Sequence, residues 1–262
     1  MLPLVDMHCH LVAGVDDGPR RLEDAVAMCR ISLAEGVGAV HGLAHQNDSY
    51  PDVTPEIIRS GIVELNHAIR NEELPLLIAP GAEVMVQPAM ANFLEKDYFL
   101  SIADRRQYLF IEMPHGMFID LRDCIMSMAQ YGLRPILAHP EQVPELLFEP
   151  RQAEALLELG CLFQVSSANV VQAQSSRATR ALREWFRRRM VHVLGSDGHS
   201  PHRRPPLMRE AYMTIANWVG EAEADRICSI NGMAILQGLP LKLPPVQRQS
   251  WRQWLPSFWS NR

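Results

Sequence analysis

The chain has 262 residues, 47% hydrophobic and 21% charged, a composition suited to one large globular domain with a sizeable core. Its 25 basic and 30 acidic residues leave a formal net charge of −5, which argues against a general nucleic-acid binder. The apolar runs fall short of the ~18–20 residues of a membrane helix, the opening MLPLVDMHCH lacks the basic start of a signal peptide, and Cys9, Cys29, Cys124, Cys161 and Cys228 form no CxxC pair, so a cytoplasmic protein with reduced thiols is expected.

In chain order, short apolar runs at residues 4–8, 39–44, 76–79, 108–112, 135–138, 161–165 and 191–195 read as strands covered on both faces. Helical patterns lie between them. Leu22, Ala25, Val26, Cys29 and Leu33 recur at helical spacing before Gly36. Thr54 is a candidate N-cap with Pro55 at the first helical position. Further helices are expected at residues 121–131, 151–159, 176–189 and 207–219. Such alternation implies a parallel sheet. Seven strands with no second domain favour a single α/β barrel over residues 1–240, followed by a tail at 241–262.

In barrels of this kind chemistry gathers where strands end. The first strand is followed by His8, His10, Asp16 and Asp17, the second by His45, the third by Glu83. The fourth ends at Glu112, the fifth is followed by His139, and the seventh by Asp197 and His199. The sixth offers only Ser166, Ser167 and Asn169. His8 and His10 are two apart on an extended segment, so both side chains point the same way and can chelate one ion; Asp197 and His199 repeat the spacing. Five histidines with Asp17, Glu83, Glu112 and Asp197 exceed one tetrahedral site and suit two or three first-row divalent ions. Three dications against four carboxylates leave a positive surplus, which attracts phosphate and lowers the pKa of water.

With these residues in hand, the sequence resembles the PHP superfamily (polymerase and histidinol phosphatase). Within it, the chain looks like the bacterial capsular-polysaccharide (CpsB/CapC-like) tyrosine phosphatases. The resemblance runs from DMHCHLVAGVDDGPRRLEDAVAMCR through LAHQ, PGAE, LFIEMP, ILAHPEQ and GSDGH to RRPPLMREAY, over roughly residues 4–238. It implies a distorted (β/α)7 TIM-like barrel of the PHP type and a cytoplasmic phosphomonoesterase for phosphotyrosine in exopolysaccharide biosynthesis. Manganese is the implied metal, with iron, zinc, cobalt or magnesium as alternatives. His8, His10, Glu83 and Asp197 would hold one ion, Glu83, Glu112 and His139 a second, and Asp17, His45 and His199 a third. A metal-bridged hydroxide would then attack phosphorus in line. Catalysis would fall to Asp197, His199 and Arg204, and substrate binding to Arg204, Gln142 and Arg203. The implied partner is a phosphotyrosine protein such as a polysaccharide-export tyrosine kinase, and a homo-oligomer is compatible with the family.

Two positions depart from the family pattern. Gln142 stands in HPEQ where the family reads HPER, and Gln46 stands in LAHQ where it reads TPHH. Glutamine brings a hydrogen bond but no charge, so weaker phosphate binding is expected, offset in part by Arg203 or His115. Two rival readings follow: a phosphatase or phosphodiesterase for a small metabolite, and a weakly active regulatory protein that binds metal or phosphoprotein. His41, His67 and His192 read as structural histidines, His202 as a rim residue, and Arg187–Arg189 as a solvated helix end. In the tail, Trp251, Trp254, Leu255, Phe258 and Trp259 keep helical spacing beside Arg248, Arg252 and Arg262. That pattern suits packing on the barrel, or docking to a partner or a membrane surface.

Overall fold

The computed structural model describes residues 2–87, 90–94, 97–173 and 175–246. Seven strands lie in one parallel sheet in chain order: β1 (Leu4–His10), β2 (Val37–Gln46), β3 (Leu77–Met85), β4 (Tyr108–Glu112), β5 (Arg134–Ala138), β6 (Leu162–Ser166) and β7 (Val193–Gly195). The sheet curls until its ends meet. The Asp197 amide donates to the His8 carbonyl at 2.7 Å, and the His10 amide to that of Gly198 at 2.9 Å. The result is the nearly closed (β/α)7 barrel that the alternation implies.

The helices are α1 (Leu22–Ala34), α2 (Pro55–Asn71), α3 (Arg122–Gln130), α4 (Pro144–Leu147), α5 (Pro150–Glu158), α6 (Ser167–Val171), α7 (Ser176–Arg187), α8 (Arg209–Val219), α9 (Glu221–Asp225) and α10 (Asn231–Leu236), the last preceded by a π-turn at Arg226–Ile230. Thr54 caps α2 as expected, its hydroxyl accepting from the Ile57 amide at 3.4 Å. Ile58, Ile62, Leu65 and Ile69 form the buried face of that helix. None of the helices among the described residues is long and apolar enough to cross a membrane. The Trp-rich pattern lies outside the described residues, which stop at Val246 within the expected 241–262 segment.

Two apolar layers follow from the strand alternation. The outer layer joins strands to helices. The inner one fills the barrel floor with Val5, Met7, Ala39, Leu43, Tyr108, Phe110, Ile136, Leu162 and Val193, and α10 closes it from below through Ile235 and Leu236. Inward positions therefore run Ala39, Leu43 and then His45 on β2, and Tyr108, Phe110 and then Glu112 on β4: apolar at the floor, polar at the rim.

Two details move the strand limits from those expected. β3 does not stop before Pro80 and Gly81 but continues to Met85, so Glu83 lies within the strand, opposite His45. Gly81 is no turn here: a Cβ would fall 1.9 Å from the His41 imidazole, which lies across β3. On β1, Asp6 pairs with Val40 and Cys9 with Gly42, one residue more on β1 than on β2. That bulge shifts the inward phase from Val5 and Met7 to His8 and His10.

His192 is structural, as expected. It is buried, and its Nδ1 accepts from the Phe163 amide at 3.1 Å. Burial, then the positive charge of Arg226 and Arg134, pushes its pKa down to about 3. In the unfolded chain the imidazole titrates near ~6.5. The unfolded state therefore binds the proton first, and stability falls as pH drops from about 6.5 toward 3. At pH 5 the loss is on the order of 2 kcal/mol. In chelator, His192→Asn should lower the pH 5-to-7 difference in urea-unfolding free energy by that amount; an unchanged difference would discount the buried imidazole. His41 is buried inside the barrel, whereas His67 is exposed on α2, because its position faces away from the apolar stripe.

Candidate metal centre

The nine predicted donors converge on the open rim. Among the described residues they form four overlapping groups: His10, Asp17, His45 and His199; His8, His10 and Asp197; His8, Glu83 and His139; and His45, Glu83 and Glu112. Within each group the donor atoms lie within 4.8 Å of one another. Glu83 stands at the middle. Its Oε2 is 3.2 Å from His8 Nε2, 3.3 Å from His10 Nε2 and 3.4 Å from His45 Nδ1, and its Oε1 is 3.1 Å from His139 Nε2. His199 Nε2 is 3.4 Å and His45 Nε2 3.6 Å from the same Asp17 oxygen.

Buried acceptors aim the imidazoles. His8 Nδ1 meets Gln164 Oε1 at 3.0 Å, His10 Nδ1 meets Asp16 Oδ2 at 2.8 Å, and His199 Nδ1 meets the Asp197 carbonyl at 2.9 Å. With the proton on Nδ1 in each, Nε2 presents its lone pair to the centre. Two ligand positions carry left-handed backbone: His139 at φ 32° and Asp197 at φ 55°. Such conformations are uncommon for non-glycine residues and cluster at functional sites. Each turns the chain off its strand end and back over the rim.

The donor set fits cations. His45 Nδ1 is buried with no hydrogen bond although Glu112 Oε1 is 3.2 Å away. The Nε2 atoms of His8 and His10 face each other at 3.3 Å. Lone pairs crowded in this way need positive charge among them. In the metal-free chain protons supply part of it. Burial opposes the His10 imidazolium, yet the Asp16 and Glu83 carboxylates raise its pKa to about 10. The same contest, won by Glu83, raises His139 to about 9. Burial would push the Glu83 carboxyl up, but His8, His10 and His139 hold it well below the usual range. Hard carboxylates mixed with imidazoles suit manganese, iron, cobalt or zinc.

The expected substrate residues lie beside this cluster. Gln142, Arg203 and Arg204 line a cleft of about 490 Å³ with Asp197 and Asn169. Arg204 donates to Asp197 Oδ2 at 2.6 Å, so one of its donors is already engaged. Gln46, next to the donor His45, does not face the cluster. It alternates with His45 on β2 and turns outward, donating to the Val53 and Tyr98 carbonyls and accepting from the Leu100 amide. The histidine of the family pattern is thus replaced by a loop tie rather than by a weaker ligand. His115 and His202 are exposed.

Strand-end reading missed the orienting groups Asp16, Gln164 and Asp6. Asp16 was visible beside Asp17, but nothing in a bare DD pair says which carboxylate turns inward. Asp16 Oδ2 also accepts the His45 amide at 2.9 Å, joining the β1 loop to β2. Asp6 Oδ1 accepts the His8 and Ser196 amides at 3.1 and 2.8 Å, fastening β1 to β7. Asp16→Asn should weaken manganese binding about 10–100-fold, as loss of an orienting carboxylate does elsewhere. A competition titration against a chelating dye reads this directly, and native affinity would show His10 to be held by packing alone.

A family model described as "Capsular polysaccharide synthesis, CpsB/CapC" matches residues 4–237. The tyrosine-protein phosphatase CpsB of Streptococcus pneumoniae is 26% identical over 238 residues, covering 89% of this chain and 98% of that one. The tyrosine-protein phosphatase YwqE of Bacillus subtilis is 24% identical over 245 residues, covering 93% and 96%. A crystal structure from work on YwqE of Bacillus subtilis and CpsB of Streptococcus pneumoniae, described as "unique metal-dependent tyrosine phosphatases", superposes with a TM-score of 0.86 at 24% identity, over 94% of this chain and 100% of that one.

Proposed function

Because the chain belongs to the CpsB/CapC family of capsular polysaccharide synthesis, we propose that it is a metal-dependent phosphomonoesterase that removes phosphate from phosphotyrosine of a protein. One observation carries the reading: nine donor residues with Glu83 at their centre meet at one rim, next to a cleft that holds two arginines. The phosphatase relatives carry the choice of phosphotyrosine.

His8, His10, Glu83 and Asp197 would hold one ion, Glu83, Glu112 and His139 a second, and Asp17, His45 and His199 a third, with manganese the first choice. Bound divalent cations supply Lewis acidity, activating water near neutral pH and offsetting charge on the phosphoryl oxygens. The protein's own groups do the rest. Arg204 is half exposed and spends one donor on Asp197. Its remaining donors can take a phosphoryl oxygen and fix the group's orientation. Asp197 in turn keeps that guanidinium aimed at the cluster. The implied partner is a tyrosine kinase of polysaccharide export, met in the cytoplasm.

The test is metal content of the purified protein together with manganese-dependent phosphate release from phosphotyrosine peptides, sugar phosphates and dinucleotides. Turnover of the peptides alone is the expected result. Turnover of sugar phosphates or dinucleotides alone would replace the reading by a metabolite enzyme, and bound metal without turnover would replace it by a regulatory protein. At the cleft, Gln142→Arg should lower KM for an aryl phosphate about tenfold, the value of one charge-assisted bond over a neutral one. An unchanged or raised KM would remove position 142 from phosphate binding.

A further inference from the structure

Helix α7 carries four arginines and one glutamate in its twelve residues. Its sequence SRATRALREWFR places Arg177, Arg180, Arg183 and Arg187 at spacings that bring them to one side of the helix. The opposite side is apolar and packed, through Ala178, Leu182, Trp185 and Phe186. Arg177, Arg180 and Arg187 are exposed and Arg183 is half-buried. Among the described residues no carboxylate comes within ion-pair distance of any of the four. This contrasts with neighbouring Arg188, which is buried and paired with Glu154, and with Arg189, which leaves the helix at φ 60°. The run at residues 187–189 is therefore only partly a solvated end. Glu184 lies on the same side, four residues after Arg180 and three before Arg187, but among the described residues it is within ion-pair distance of neither, so the face keeps a net positive charge that suits an acidic partner.

The row begins beside the cleft of the metal centre. Gln142 and Asn169 line that cleft and also a second one of about 220 Å³, whose walls include Phe148 and Ala178 of α7. The Arg177 guanidinium sits 4.3 Å over the Phe148 ring, which holds it at the mouth. The two clefts thus lead from Asp197 to Arg177, whereas Arg180, Arg183 and Arg187 lie on the side of α7 turned away from Ala178 and Leu182, so a bound segment would pass over the helix beyond Arg177.

We propose that the α7 arginines form a docking site for an acidic stretch of the protein substrate, rich in carboxylates or further phosphates and flanking the phosphotyrosine in the metal cleft. This rests on the phosphotyrosine reading above. Guanidinium groups suit the partner chemistry, since they bind both phosphate and carboxylate in bidentate fashion. The site would raise the local concentration of substrate without touching the reacting atoms.

The triple variant Arg177→Gln, Arg180→Gln and Arg187→Gln removes charge and keeps helix propensity. Its kcat/KM for a phosphotyrosine peptide with acidic flanks should fall about tenfold, through KM, with its salt dependence flattened. Turnover of p-nitrophenyl phosphate and of a neutral phosphotyrosine peptide should stay within about twofold, a bound set by additivity of distant sites. Arg180→Glu should make a lysine-flanked peptide the better substrate. Equal losses on all substrates, or none on the acidic peptide, would overturn the proposal. So would binding of the row to anionic vesicles but not to the labelled acidic peptide. That peptide's anisotropy, read in chelator, isolates the row from the chemistry: binding there with no turnover under manganese would sink the phosphatase reading and keep the docking site.

Discussion

Replacing Glu83 by glutamine is expected to empty most of the metal centre while leaving the barrel folded. Both carboxylate oxygens are in use. Oε2 lies within 3.4 Å of three imidazoles, those of His8, His10 and His45, and Oε1 lies 3.1 Å from His139. Glutamine keeps the volume and one acceptor but loses the charge that lets four imidazoles crowd together. Loss of an orienting group alone costs about 10–100-fold. Loss of the central ligand should therefore cost about a thousandfold or more in manganese-dependent turnover. Metal analysis after gel filtration should show fewer ions per chain than in the native protein. Native metal content with native turnover would remove Glu83 from the centre.

Gly195→Ala is expected to be nearly as damaging for a different reason. Gly195 ends β7 under the cluster, and a Cβ there would lie 2.4 Å from His8 Cβ, 2.8 Å from the His8 amide nitrogen and 2.9 Å from Gln164 Nε2. The contact is with backbone and with the group that orients His8, so it cannot be relieved by swinging one flexible chain aside. Overpacking of this kind costs about 1–3 kcal/mol. The added cost falls on His8, whose displacement should weaken manganese binding by about 10–100-fold. Gly160→Ala is the control: φ is 95° there and nothing lies within 4 Å of the new carbon, so stability alone should drop, by about 1 kcal/mol. If Gly195→Ala binds manganese as tightly as the parent, the close approach does not position His8.

The barrel and its ligands were legible because two simple signals agree. Buried parallel strands read as apolar runs, and the polar residues that follow each run gather at one rim. Residue 112 is a clear case, an acid directly after YLFI on β4. What stayed hidden depends on contacts rather than on order. Pro80 and Gly81 look like a turn, yet β3 runs through them paired to β2, and the His41 ring fills the space a side chain at 81 would need. The β1 bulge appears only when β1 is laid against β2. Gln164 is a polar residue in an apolar strand, and its purpose emerges only when the His8 ring is found 3.0 Å away. Gln46 was misleading for the same reason: its neighbour His45 faces the donor cluster, and alternation turns position 46 toward the loop that holds Leu100.

The seam between the first and last strands carries a consequence for how this protein comes into being. The fastening bonds there join His8 and His10 to Asp197 and Gly198, residues separated by nearly the whole length of the barrel. A nascent chain cannot tie them until about residue 198 has left the ribosome, and until then the ring stays a strip with open edges. The ions would therefore be captured late and would act as a clasp on a finished hoop. Withholding divalent metal would then leave loose hoops whose seam amides exchange with solvent well before those of the central strands.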